Sequence, residues 1–190
     1  EGTLTAFIDG GTGPEQLTVD AMHGNVEVKA MFDGTSDTVV HSGAVGLDVV
    51  SVDTARPTST NSPHVAATVK GKADVSADKY FNLVSNAGGH ARGESRQTTI
   101  SLGYAGGGLT LNTYAKPVVT VVVGDQNTED ELQVSDWQSS LGTKVTGREG
   151  VLLSAQATID ASSEATMNGG ALYATVLAPS SHAEVSPEIN

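Results

Sequence analysis

The densest run of oxygen ligands in the chain is Asp125-Gln126-Asn127-Thr128-Glu129-Asp130-Glu131. Asp125, Asn127 and Glu129 alternate, and hard oxygens at alternate positions suit Ca²⁺, which takes six to eight of them. The spacing departs from a helix-loop-helix calcium loop. Asp130 occupies the sixth position, where glycine makes the sharp turn, and Asp136 replaces the bidentate glutamate at the twelfth. A solvated acidic turn is the preferred reading, and Ca²⁺ is the one cofactor left open.

Other chemistry finds less support. Gly10-Gly11-Thr12-Gly13 follows a strand, but Pro14 and Glu15 stand where a phosphate-binding loop needs lysine and a hydroxyl. A tight turn explains it better. Ala105-Gly106-Gly107-Gly108 precedes a strand, so it lacks the helix N-terminus of a dinucleotide site. His23, His41, His64, His90 and His182 are scattered, with no pair at metal-ligand spacing. His41 and His64 would have to meet through the fold. No G-x-S-x-G elbow occurs. Asp160 and Glu164 are the only carboxylate pair resembling a glycosidase arrangement, and one tryptophan is a poor supply of sugar platforms. Arg92-Gly93-Glu94 misses an integrin-type triplet by one residue and carries no information. The catalytic set is therefore empty, and the chain is expected not to be an enzyme.

The elements that would position these residues are strands. Leu4, Ala6 and Ile8 alternate with Thr3, Thr5 and Phe7, and Val26, Val28 and Ala30 alternate with Glu27 and Lys29. Hairpins are expected for Gln16–Met22 with Asn25–Met31 around His23-Gly24, and for Gln97–Tyr104 with Leu109–Ala115 around Ala105–Gly108. Thr54–Pro63 and Asn86–Gly93 read as loops. Asp74–Lys79 and Asp160–Ala165 are the only places for a helical turn. About a dozen short strands, against ~4–6 in a usual sheet, predict an all-β antiparallel β-sandwich or flattened barrel of ten to twelve strands with little or no helix. The expected organisation is an N-terminal strand over 1–9, a single sandwich domain over 10–178, and a polar C-terminal tail over 179–190. No fixed internal period is visible, which argues against a solenoid.

Composition bounds the partners. At 190 residues the chain can bury a core of small aliphatic side chains without disulfides, and it has no cysteine. Its formal net charge of −12 repels phosphate backbones and anionic membranes, so no nucleic-acid partner and no membrane insertion are expected. The first residue is Glu1, consistent with a removed leader, maturation cleavage or a cloned fragment.

These features favour contact over catalysis. Exposed strand edges recruit further strands, and natural monomers suppress this with edge lysine, proline or bulges. The chain has six lysines, and Leu4, Ala6 and Ile8 form an alternating segment close to its start that would suit a donor strand. The expected function is a non-enzymatic structural subunit of a self-assembling, pilus-like extracellular filament, with copies of itself or a larger assembly as partners. A virion decoration, coat or tail protein is the alternative. A secreted carbohydrate-binding module is the second alternative, with Trp137, Tyr80, Tyr104 and Tyr114 as its only aromatic platforms.

Overall fold

The computed structural model describes residues 2–47, 50–124 and 142–190. Among them lie fourteen strands and no helix: β1 (Gly2–Asp9), β2 (Leu17–Ala21), β3 (Val26–Gly46), β4 (Val50–Ala55), β5 (Thr58–Asn61), β6 (Pro63–Lys70), β7 (Ala73–Ala77), β8 (Tyr80–Ser101), β9 (Tyr104–Ala115), β10 (Val118–Val123), β11 (Lys144–Gly147), β12 (Gly150–Ala171), β13 (Ala174–Val185) and β14 (Glu188–Ile189). Every ladder between them is parallel. The four lanes run β1-β6-β10-β14, β2-β7-β11, β3-β8-β12, and β4 with β5 beside β9 and β13. The chain is thus wound in stacked coils. Coil one is β1–β5, coil two β6–β9, coil three β10–β13, and β14 opens a fourth.

This overturns the antiparallel sandwich. Strands joined by tight turns bond not to each other but to the strand one coil away. Val50 pairs with Tyr104, 54 residues on, and Tyr104 with Ala174, 70 residues on. The expected hairpins are therefore arches. β2 bonds to β7 and β3 to β8, while β8 bonds to β3 and β12 and β9 to its own lane. Strands rotated so that side chains face each other show the same alternation and the same turn residues as a hairpin, so periodicity alone does not separate the two.

Unequal coil lengths hide the repeat. Ile8, Val69 and Val123 share one position across the coils, and so do Thr18, Asp74 and Lys144. Between those positions coil one spends nine residues (9–17), coil two four (70–73) and coil three twenty (124–143). The remaining corners differ by at most one residue. A winding chain is a solenoid even without a fixed period. One marker does recur: Pro63 starts β6, Pro117 precedes β10 and Pro187 precedes β14, all at the same place in the coil.

Other expectations are corrected by the same geometry. Thr54–Pro63 is held in lane by β5, with the Asn112 N–H donating to the Pro57 carbonyl (3.1 Å). Asn86–Gly93 lies inside β8, where Gly89 (φ 125°) bends the strand rather than ending it. A Cβ at Gly89 would stand 1.8 Å from the Gly34 carbonyl oxygen, so only glycine fits that bend. Asp74–Lys79 and Asp160–Ala165 fall in or beside β7 and inside β12, not in helical turns. Residues 179–190 form most of β13 and all of β14 rather than a free tail.

The interior has two compartments. The first is apolar: Val65, Ala67, Val69, Val75, Phe81 and Leu83 are at most 1% exposed, sealed between the coils above and below. Each such large side chain contributes roughly 1.5–3 kcal/mol. The second is a thin arm, where the C-terminal half of β8 faces β9. Glycine permits the close approach, since a Cβ at Gly93 would stand 2.4 Å from Thr113 Oγ1 and 2.9 Å from a Leu111 methyl. This arm buries Leu109 and Leu111 alongside Ser95, Gln97, Thr99 and Thr113.

Candidate contact surfaces

Leu4, Ala6 and Ile8 sit in β1, opposite Val65, Ala67 and Val69 of the same chain. Leu4 is 39% exposed, and Ala6 and Ile8 are half-buried against the apolar compartment. Among the described residues the strand is the edge of its lane, with a ladder on one side only. Asp9 ends the strand by accepting a hydrogen bond from the Gly11 N–H (2.8 Å), and Lys70 Nζ lies 3.2 Å from its other oxygen. That amide first, and Lys70 second, hold the Asp9 carboxyl below the usual carboxylate range.

The remaining sequence candidates are not brought together. Asp125, Asn127, Glu129 and Trp137 lie outside the described residues. Among the described residues no group of three or more His, Asp or Glu is placed to hold a metal. His41 and His64 lie on separate lanes, in β3 and β6. His90 Nε2 is 3.7 Å from Asp37, and His182 Nε2 is 3.5 Å from Glu184. Asp160 and Glu164 share the outer face of β12 but are four residues, about 13 Å, apart along it. Glycosidase carboxylates stand ~5–9.5 Å apart. Tyr104 and Tyr114 are ten residues apart on β9, roughly 33 Å, and Tyr80 begins β8.

Three surface features are built by the coils themselves. The first is the pair of open coil faces. Rows sealed in coil two are half-open in coils one and three: Val69 is fully buried, while its neighbours Ile8 and Val123 are only partly so. The second is a shallow recess of about 330 Å³ at the bend of β8, walled by Met31, Asp33, Asn86 and Thr158. Asn86 Oδ1 is buried there without a hydrogen-bond partner.

The third is the outer tip of the thin arm, where β3 turns into β4, β8 into β9 and β12 into β13. Leu47, Leu102 and Leu172 recur there, 84%, 59% and 74% exposed. Tyr104 and Tyr173 follow, with ring centroids 5.8 Å apart and planes tilted by 31°. On the face of β4, β9 and β13, Val52 and Val176 flank Gly106, and Thr54 and Ala178 flank Gly108. With strands ~4.8 Å apart, this is a trough about 10 Å between its walls, floored by two residues without side chains. The inward glycine of the run, Gly107, makes room for Met167, whose methyl would lie 2.5 Å from a Cβ there. The sequence reading took this run for a hairpin turn and passed over Tyr173. The signal that would have found the tip is the recurring pair Gly46-Leu47, Ser101-Leu102 and Ala171-Leu172.

No family model, curated protein or solved structure matches this chain.

Proposed function

We propose that this chain is a non-enzymatic structural subunit of an extracellular, self-assembling filament, built by stacking parallel coils end to end. The observation that carries this is the pair of end faces, where among the described residues β1 on one side and the part of coil three beyond β14 on the other border half-buried apolar side chains that another coil would seal. Such edges are templates for further strands unless charge, proline or a cap blunts them. Coils of this kind interact only with their neighbours along the axis, so each coil added repeats the same contact. The partner is a further parallel coil, and in this reading a second copy supplies it. A role in a virion would use the same faces against a larger particle.

The test is electron microscopy and X-ray fibre diffraction of concentrated protein, beside the variant Ile8→Lys, which places a charge in the row facing the next coil. The native chain gives filaments with a ~4.8 Å axial repeat. Ile8→Lys keeps its β circular dichroism and loses the filaments. Native protein that stays dispersed at millimolar concentration overturns the reading.

A further inference from the structure

The tip of the thin arm differs from the rest of the surface in both charge and polarity. Coil two carries no Asp, Glu, Lys or Arg between Arg96 and Lys116, and coil three none between Glu164 and Glu184. In coil one the run from 42 to 55 carries two acids, Asp48, which lies outside the described residues, and Asp53, which shares the position of Gly107. The whole chain carries a net charge of −12, and all but these two negative charges lie elsewhere on the molecule. Two such molecules repel wherever their flanks bring carboxylates together. The tip, with two acids in coil one and none in these runs of coils two and three, is where two flanks meet with the least of that penalty.

Its size points the same way. The three tip leucines, Val50 (58% exposed), Val52 (69%), Tyr104 (50%), Tyr173 (71%) and Val176 (71%) together expose an area on the order of one side of a standard interface, ~800 Å². The largest apolar patch on an ordinary monomer is ~300–600 Å², and a stable interface covers ~800 Å² on each partner. The surface also has both halves of a self-fitting contact. The ridge is Leu102 and Leu172, exposed in the turns that lead into β9 and β13, and the trough is the Gly106–Gly108 floor between Val52 and Val176 on the strands that follow.

We propose that this tip is a lateral interface between two copies of the chain, related by a two-fold axis, in which the Leu102–Leu172 ridge of each copy lies in the glycine-floored trough of the other. A two-fold contact requires ridge and trough on the same patch, because each copy must offer what it receives. The contact is independent of end-to-end stacking, since it uses side chains on the flank and no strand edge. In a filament it would join two files side by side. Alone it gives a dimer.

Sedimentation velocity between 1 and 100 µM tests it, on the native chain and on Leu102→Asp and Val176→Asp, whose exposed positions spare the core. The native chain forms a dimer, and each substitution weakens association at least tenfold with unchanged circular dichroism. Ile8→Lys, which blocks stacking, leaves this dimer intact and so separates the two contacts. Because the chain lacks cysteine, a mixture of Leu102→Cys and Gly106→Cys cross-links under mild oxidation faster than either variant alone. A native monomer at 100 µM overturns the proposal. So does a dimer that survives both aspartates, or a monomer that floats with phosphatidylcholine vesicles, which would make the tip a lipid contact.

Discussion

At the scale of single residues, the thin arm carries a cost that sequence reading did not register. Gln97 is fully buried between Ser42 and Met167 of the adjoining coils, and neither its amide nitrogen nor its oxygen meets a partner. Ser95 Oγ, Thr99 Oγ1 and Thr113 Oγ1 are in the same position. A buried polar group without a hydrogen bond costs ~1–3 kcal/mol. Gln97→Met keeps the length of the side chain and removes two such atoms, so it should raise stability by about 1–3 kcal/mol in urea unfolding. A destabilised variant would mean that the amide is bonded in solution. By contrast Asn61, also buried, is well used: its Nδ2 donates to the Gly34 carbonyl (2.9 Å) and the His90 carbonyl (3.2 Å), bracing the bend of β3 and β8.

At the scale of elements, the strands themselves were legible and their partners were not. Alternation located β1, β3 and β6 because inward Val, Ala and Ile repeat at every second residue. Polar stretches misled where the interior is itself polar. Ser59 and Asn61 are buried in β5, so Thr54–Pro63 looked like a loop. The glycines of β8 and β9 looked like turns because they serve bends and close approach instead of packing. Contact surfaces were legible in part. Leu4, Ala6 and Ile8 were legible as a strand, which among the described residues is the edge of its lane, whereas the recurring leucines of the tip become visible only once the coils are aligned. One element also bears on assembly. β14 and Asn190 occupy the start of a fourth coil in the first lane, beside β10, with the Asn190 N–H donating to the Val119 carbonyl (2.9 Å) and the Val121 N–H to the Asn190 carbonyl (2.8 Å). A second copy's β1 in register there would place Thr3 where Glu188 sits. Removing residues 187–190 should therefore speed end-to-end assembly severalfold, read by light scattering. An unchanged or slower rate would show that β14 does not compete for that lane.

At the scale of the whole molecule, the balance lies between net repulsion and local attraction. With −12 on each copy, long-range repulsion slows encounter, and salt shortens its reach from ~30 Å at 0.01 M to ~8 Å at 0.15 M. Both end-to-end and lateral association should accelerate over that range, whereas an association held by ion pairs would weaken. Stopped-flow light scattering at the two ionic strengths separates these outcomes.

The corner between the first two lanes bears on how the molecule tolerates change. Nine, four and twenty residues make the same crossing, yet the strands on both sides keep their lanes. Closing a flexible loop costs only ~0.6 kcal/mol for each doubling of its length. A single residue added within β8 would instead turn every following inward side chain outward. That corner is accordingly a permissive grafting point in coil one, where Thr12–Glu15 is exposed and Gly13 has open space around it, whereas in coil two Lys70 and Lys72 are tied by backbone hydrogen bonds to Gly10, Gly11 and Leu17 and leave no room for a graft.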